Sequence, residues 1–148
     1  MIKIICLGKI KEKYLIDAIE EYKKRLTKYT KLEIIELKDQ QTEKALKQEA
    51  EAIKKHLKTD DYIITLEIEG KQLTSEQLAK HIDKTLITNP NITFIIGSSE
   101  GLDNSIKEIS NYKLSFSKLT FPHQLFRVIL LEQIYRAFKI LNNETYHK

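Results

Sequence analysis

The chain has 148 residues, of which 41% are hydrophobic and 31% charged, and 25 basic against 21 acidic residues give a net charge of +4. This length and apolar content predict one globular domain, residues 1–148, and exclude a multidomain assembly and a disordered chain. A single cysteine excludes an intramolecular disulfide, and the lack of any apolar run near the roughly 20 residues that cross a bilayer predicts a cytoplasmic protein outside the membrane.

Apolar periodicity predicts alternating strands and helices along the first two thirds of the chain. Short β-branched runs indicate strands, and longer segments with apolar residues three and four positions apart indicate helices. Thr74 is a predicted N-cap, and a turn at Glu69-Gly70 is predicted to end the third strand. The predicted strands are 2–7, 32–37, 62–68 and 92–96, and the predicted helices are 14–29, 42–57 and 75–86.

The run Ile92–Ile96 is apolar at nearly every position, which is typical of a strand covered on both faces, so we expect it at the centre of the sheet. Strands separated by amphipathic helices predict an α/β fold with a mostly parallel sheet and helices on both faces. Ligands of such sheets bind beyond the carboxyl ends of the strands. A ligand-binding or catalytic site is therefore expected in the loops after residues 68 and 96 and around a short predicted strand, 112–116.

The last predicted helix, 123–141, is apolar on most of its circumference. A helix that rests on one sheet face needs only one apolar stripe. The simplest expectation is that this helix also packs against a second subunit.

Basic residues are concentrated near the N-terminus, where the segment 9–31 has eight Lys or Arg against four Asp or Glu. Such a cluster could contact RNA phosphates. A solvated helix face is the more common explanation, and composition alone does not decide between the two.

The turn Gly97–Gly101, with the sequence GSSEG, follows the buried strand directly. Glycine lets backbone groups approach a ligand closely, and serine hydroxyls can hydrogen-bond it. The turn lacks the GxGxxG spacing of dinucleotide sites and the Lys-Ser/Thr pair of a P-loop. It indicates either a ligand loop of another type or an ordinary turn between a strand and a helix.

Pro122 suits the first turn of the last helix and places His123 near the helix N-terminus. The helix dipole disfavours an imidazolium there, so we expect a neutral ring that can accept a proton, although a capping or structural histidine is the commoner case. Arg127 and Arg136 lie within the apolar helix and need partners. Candidates are Glu132, a carboxylate ligand, an RNA phosphate or a salt bridge at an interface.

The C-terminal residues 142–148 are expected to fray by position. Tyr146 and His147 nevertheless place an aromatic and a titratable group at the end of the chain, where they would matter if the tail folded over a site. His56 and His81 have no second ligand at metal-binding spacing, so both are expected at the surface and no metal is predicted.

Two segments are distinctive in a chain of this length. One is IGSSEG (96–101), and the other is LSFSKLTFPHQLFRVILLEQIYRAFKILNNETYHK (114–148). Together they resemble the RlmH family of small SPOUT-class methyltransferases, and the opening MIKIICLGK and the segment TLEIEGK extend the resemblance over the whole chain. Ser98 stands where members usually have glycine.

The resemblance implies a SPOUT fold with a C-terminal trefoil knot, a homodimer, and S-adenosylmethionine as the cofactor. The implied reaction is methylation of N3 of a pseudouridine in the 23S rRNA of the assembled ribosome, with the 9–31 cluster steering RNA phosphates. The implied cofactor-binding residues are Leu66, Gly97, Phe116, Ser117, Lys118, Leu119, Thr120 and Phe121. The implied catalytic group consists of His123 and His147 as candidate bases, with Arg127, Tyr146, Glu100 and Lys148 as orienting or RNA-holding residues.

Two other functions stay open at this point. A small α/β protein could use Gly97–Gly101 for a nucleotide or phosphate, and it would bind nucleotide in preference to S-adenosylmethionine. A noncatalytic ribosome-associated RNA-binding module would bind ribosomes without methyl transfer. The intact C-terminal segment argues against both.

Overall fold

The computed structural model describes residues 1–148 and contains five strands and five helices. In chain order they are β1 (Ile2–Leu7), α1 (Lys13–Leu26), β2 (Leu32–Leu37), α2 (Ala45–Lys54), β3 (Asp61–Gln72), α3 (Ser75–Thr88), β4 (Asn91–Ile96), α4 (Asn104–Ile109), β5 (Tyr112–Ser115) and α5 (His123–Leu141). Every strand and helix predicted from the sequence is present, and the ends of the predicted helices differ by at most three residues.

All five strands form one parallel sheet in the order β2-β1-β4-β3-β5. β4 is the middle strand, as its apolar run predicts, and five of its six residues are buried. Because every strand runs in the same direction, all carboxyl ends meet at one edge of the sheet, where α/β folds bind ligands.

Helices cover both faces of the sheet, which confirms the predicted α/β architecture. On one face α1, α3 and α5 pack over alternate strand residues such as Ile4, Phe94 and Ile96. On the other face α2 and α4 pack over the intervening residues, including Ile5 and Ile95. Two-sided burial removes the period-two alternation of an open sheet, which is why β1 and β4 are almost uniformly apolar.

β3 is longer than predicted, and the turn expected at Glu69-Gly70 is wrong. The strand continues to Gln72, with a shift in its pairing to β5 between Leu66 and Lys71. A Cβ atom on Gly70 would lie 2.7 Å from the Lys113 carbonyl oxygen, so glycine here allows close approach to β5. The Glu69-Gly70 pair, which suggested a turn, therefore lies in a bulge within the strand.

Two helix starts are set by side-chain caps. The Thr74 hydroxyl accepts a hydrogen bond from the Gln77 N–H, and the Gln77 side chain accepts from the Thr74 N–H, which confirms Thr74 as the N-cap of α3. α4 was not predicted, because six residues are too few for a periodic pattern. Its start is fixed by Asp103, which accepts from the Ser105 N–H.

α5 packs against both α1 and α3 of the same chain. Tyr135 contacts the rings of Tyr22 and Tyr29, at centroid distances of 6.1 and 6.3 Å, and Ile134 and Leu130 are fully buried. Neighbouring helices therefore cover much of the apolar circumference that suggested a second subunit. No helix of the chain combines the length and apolarity that crossing a bilayer requires.

His81 is half-buried, contrary to the expectation that it lies at the surface, whereas His56 is exposed. The His81 ring lies 4.4 Å from the Tyr112 ring, and its Nε2 is 3.1 Å from the Tyr62 hydroxyl. Burial lowers the pKa of His81. The chain contains no cluster of three His, Cys, Asp or Glu side chains arranged to hold a metal ion.

A buried ion pair fixes the amino-terminal edge of the sheet. Lys3 Nζ donates to Asp61 Oδ2 at 2.9 Å and to the His56 carbonyl at 2.6 Å, and the Lys3 and Asp61 side chains are only 4% and 0% exposed. Burial acts to raise the pKa of Asp61, but hydrogen bonds from the Lys58 N–H and from Lys3 hold it below its usual value. Each buried charge therefore depends on the other.

Asp61→Asn is expected to lower the free energy of unfolding by about 3 kcal/mol at pH 7, because Lys3 would keep a buried charge without its counter-ion. A carboxyl with a lowered folded-state pKa adds stability above its unfolded value of about 4, and this contribution is lost as the pH falls through the folded-state value. The gap between wild type and variant should therefore narrow in acid. Urea unfolding of both proteins over a range of pH, at one fixed protein concentration, measures this difference in stability.

Asp17→Asn is the matched control, since the Lys13–Asp17 pair is solvent-exposed. This variant should lose no more than about 0.5 kcal/mol of unfolding free energy at any pH. Equal losses in the two variants would contradict the structural role of the buried pair.

Candidate active site

A cavity of about 510 Å³ opens at the carboxyl ends of β4 and β5, beside the bulged part of β3. Three segments line it: 66–69 of β3, 96–102 after β4, and 114–123 leading into α5. Its size falls within the range of small-molecule sites, and its position is the one predicted for a parallel sheet.

Seven of the eight predicted cofactor-binding residues line this one cavity. They are Leu66, Gly97, Phe116, Ser117, Leu119, Thr120 and Phe121. Lys118 belongs to the same loop but is exposed and does not line the cavity. Residues up to 55 positions apart in the chain, from Leu66 to Phe121, are thus brought together by the sheet order, while their role in binding stays a prediction.

An aromatic cluster forms part of the cavity wall. The Phe116 and Phe126 rings meet edge to face at 5.0 Å, and the Phe121 and Phe126 rings stack at 5.9 Å. Aromatic faces offer a planar apolar surface on which a heterocycle can stack. Glu67 and Glu69 also line the cavity and add two carboxylates to this wall.

The turn itself requires glycine at position 97, which agrees with the ordinary turn between a strand and a helix that the sequence left open beside a ligand loop. A Cβ atom there would lie 2.5 Å from the Gly101 carbonyl oxygen and 3.0 Å from Leu102 Cγ. The Gly101 N–H closes the turn by donating to the Ser98 carbonyl at 2.9 Å, and Gly101 has a φ of +84°, a value that favours glycine.

Glu49 of α2 accepts a hydrogen bond from this turn, a contact that sequence analysis missed. Ser98 Oγ donates to Glu49 Oε1 at 3.2 Å and accepts from the Glu100 N–H at 3.3 Å, while the Gln40 N–H donates to Glu49 Oε2. Glu49 is only 2% exposed, and this burial raises its pKa. The available signal was a carboxylate within the apolar stripe of a predicted helix.

His123 begins α5 and lines the cavity. Its Nε2 lies 3.8 Å from the position that a Cβ atom would take on Gly8, at the end of β1. The first turn of α5 is therefore packed against the carboxyl end of a strand two positions away from β3 in the sheet.

Arg127 finds its partners at that same strand end, and none of the candidates named from the sequence is among them. Its side chain donates to the carbonyls of Leu7 and Gly8 at 2.8 and 2.6 Å and to Glu36 Oε2 at 2.6 Å. It is 2% exposed. These contacts indicate that Arg127 orients the start of α5, because a buried guanidinium already paired in this way is not available to RNA.

The C-terminal tail is folded, contrary to the expectation of fraying. Tyr146 donates to Glu132 Oε2 at 2.7 Å, and Arg136 pairs with the same carboxylate, which confirms Glu132 as its partner. His147 contacts Arg136 through Nδ1 at 3.0 Å and Glu76 through Nε2. Burial and the hydrogen bond to Glu132 raise the pKa of Tyr146.

The structure does not bring all four predicted catalytic residues together. His123 lines the cavity, Arg127 lies behind it, and Tyr146 and His147 lie outside its wall, held by α3 and the second half of α5. One chain therefore does not present both histidines to one ligand.

Comparison with known proteins identifies the family. A family model described as "Predicted SPOUT methyltransferase" matches residues 1–147. The chain belongs to the SPOUT methyltransferase family. It is 60% identical to a protein of Methanococcus maripaludis over 157 aligned positions, which cover 99% of each chain.

Two bacterial relatives have the printed name "Ribosomal RNA large subunit methyltransferase H". The protein of Clostridium beijerinckii is 55% identical, with 99% of both chains covered, and that of Caldicellulosiruptor saccharolyticus is 49% identical, with both chains covered in full. The sequence resemblance to the RlmH family is thereby confirmed.

A solved structure shares the fold at low identity. "The structure of a probable methylase family protein from Haemophilus influenzae Rd KW20" matches with a TM-score of 0.60 and 16% identity, covering 99% of this chain and 70% of that one. This likeness supports the architecture and carries nothing about the site.

Ser98→Ala is expected to lower the free energy of unfolding by about 2 kcal/mol, because the buried Glu49 carboxyl would lose a hydrogen-bond donor. Ser99→Ala, the same change at the adjacent cavity residue, should cost no more than about 0.5 kcal/mol. Chemical denaturation of both variants side by side measures the difference. Indistinguishable stabilities would show that the Glu49 contact does not hold the turn.

Proposed function

We propose that this protein is an S-adenosylmethionine-dependent methyltransferase that modifies N3 of a pseudouridine in the 23S rRNA of the assembled ribosome. The observation that carries the proposal is the single cavity that gathers seven predicted cofactor residues at the strand ends. Membership in the SPOUT family and relatives named as ribosomal RNA large subunit methyltransferases support the substrate class. Because ribosomes are cytoplasmic particles, we propose that the reaction takes place in the cytoplasm.

The lining of the cavity suits this cofactor. Its volume of about 510 Å³ accommodates a nucleoside-sized molecule, and the rings of Phe116, Phe121 and Phe126 offer an apolar wall for an adenine. Of the two carboxylates, Glu67 pairs with Lys107 of the lining at 3.8 Å, and Glu69 complements a cationic sulfonium. When bound, S-adenosylmethionine supplies an electrophilic methyl group.

The residues of the chain then contribute orientation and proton removal. Holding the attacking N3 in line with the methyl group is a task of proximity, and the rigid turn at Gly97 and the anchored start of α5 provide fixed walls for it. N3–H of a pseudouridine is protonated at neutral pH, so a base must take its proton. His123 is our first candidate, because it is the histidine that lines the cavity.

We further propose that the active protein is a homodimer in which the tail of one protomer completes the cavity of the other. Tyr146 and His147 lie outside the His123 cavity of their own chain, yet the tail is ordered by Glu132, Arg136 and Glu76. An ordered tail bearing a titratable group is suited to contribute across an interface.

The C-terminal trefoil knot expected of the SPOUT fold is also a proposal. β5 lies at one edge of the sheet, whereas α5 begins against β1, so residues 116–122 cross the ends of β3 and β4. Such a crossing supports a threaded chain. An experimental structure traced through residues 116–148 tests it, and a path that lies wholly outside the loop after β4 would exclude the knot.

The alternative is a noncatalytic ribosome-associated RNA-binding module. Such a module would have the same fold and bind the same ribosome, but its cavity would not need to hold a cofactor. Methyl transfer distinguishes the two, because only the enzyme labels its RNA.

Incubation with radiolabelled S-adenosylmethionine and ribosomes from cells that lack the modification tests the reaction. We expect label on a pseudouridine in intact ribosomes and little in naked rRNA. His123→Ala should slow single-turnover transfer about 100-fold, the size of a general-base contribution, while His56→Ala at an exposed histidine should not change it. Ribosome and cofactor binding without label would favour the noncatalytic module.

Mixing two inactive variants tests the shared site. If His123 of one protomer works with His147 of the other, each heterodimer of His123→Ala and His147→Ala keeps one intact site. Random reassortment after mixing would then restore about a quarter of wild-type activity. Activity that stays at the level of the separate variants would exclude a site built across the dimer.

A further inference from the structure

Half of the basic residues in the segment 9–31 are neutralised within the chain. Four of its eight cations pair with carboxylates at 2.8 to 3.4 Å. These pairs are Lys13–Asp17, Lys23–Glu20, Arg25–Glu21 and Lys28–Glu144. The Arg25 guanidinium also lies over the rings of Tyr22 and Tyr135, at 5.3 and 5.5 Å. α1 therefore has the character of a packed, charge-balanced helix.

Two other cations of the same segment, Lys9 and Lys11, lie with Lys38 at the carboxyl edge of the sheet. Lys9 and Lys11 follow β1, and Lys38 follows β2; all three are exposed, and none forms an ion pair. We call these three residues the edge lysines. They remain free to attract an anionic partner, as does Lys24, whereas the other basic residues of α1 are paired with carboxylates.

The carboxylates beside the edge lysines are mostly engaged elsewhere. Glu36 pairs with Arg127 at 2.6 Å and accepts from the Ile10 N–H at 3.2 Å. Asp39 lies beside the buried Glu49, and its proximity raises the pKa of that carboxyl. Glu12 is the exposed acid in the loop after β1, so this surface keeps an excess of positive charge.

The edge lysines border the His123 side of the cavity. Leu7 and Leu37 pair in register, and the Gly8 N–H donates to the Leu37 carbonyl at 2.7 Å, so the loops that carry Lys9 and Lys38 leave adjacent strands side by side. Gly8 itself packs against the His123 ring. An RNA strand held by these lysines would run past the mouth of the cavity.

We infer that the edge lysines Lys9, Lys11 and Lys38 dock the phosphate backbone of the substrate RNA beside His123, and that the basic residues of the segment 13–28, on and just after α1, do not. This inference rests on the proposed function, since it assigns the RNA-docking surface of that same site. Phosphate contacts position a nucleic acid without reading its sequence, so the edge lysines would set where the strand lies while the cavity selects the base.

Two triple variants with equal charge test the inference. Lys9→Gln, Lys11→Gln and Lys38→Gln together form the edge variant, and Lys23→Gln, Lys24→Gln and Lys28→Gln together form the α1 control. Each lowers the formal net charge from +4 to +1. Binding to purified unmodified ribosomes is measured over a series of salt concentrations, and S-adenosylmethionine binding is measured by calorimetry.

The edge variant should bind ribosomes at least about tenfold more weakly than wild type. Its slope of log affinity against log salt should be smaller by about 2 to 3, given roughly 0.7 to 0.9 per lost phosphate contact. The control should stay within about twofold of wild type. Both variants should bind S-adenosylmethionine as wild type does, and the edge variant should regain wild-type turnover at saturating ribosome.

Equal losses in the two variants, or a larger loss in the α1 control, would overturn the inference. Such a result leaves the proposed function standing if wild-type protein still methylates the ribosome. Failure of the proposed function has a different signature, because wild-type protein would then bind the cofactor and the ribosome without transferring a methyl group.

Discussion

One buried arginine determines where the cavity forms. Arg127 donates to the carbonyls of Leu7 and Gly8 and pairs with Glu36, so the ends of β1 and β2 bind both terminal nitrogens of a guanidinium that is removed from water, while its Nε has no hydrogen-bond partner. β5 lies on the far side of β3 and β4. The segment 116–122 must therefore cross both strand ends to bring α5 to β1, and this crossing forms one wall of the cavity.

The opposite wall is held by a separate set of contacts. Glu49 rises from the helical layer on the other face and binds Ser98, while the close approach of Gly97 to Gly101 leaves no room for a side chain. Each of the two walls is anchored to a different face of the parallel sheet, so both walls are held by contacts outside their own loops. Such preorganisation suits a reaction that relies on alignment.

Local patterns predicted most of the elements, because strands buried on both faces and helices with apolar stripes follow from periodicity. They failed at Gly70, where a glycine that permits close strand approach resembles a turn, and at α4, which is too short to show a period. The cofactor residues came from a resemblance, since contacts made through backbone leave little trace in side chains. Glu36 and Glu49 were missed as site residues because their partners lie 91 and 49 positions away in sequence.

Charge is the property for which sequence counts mislead most. The segment 9–31 has the largest local excess of basic residues, yet half of them are paired with carboxylates, one of which comes from the tail. A pair formed within the chain contributes little field at a distance, because its two charges cancel beyond the separation of their atoms. The three lysines at the strand ends are fewer but unpaired. A polyanion approaching the protein therefore meets unpaired cations beside His123, where the fold also places the cavity.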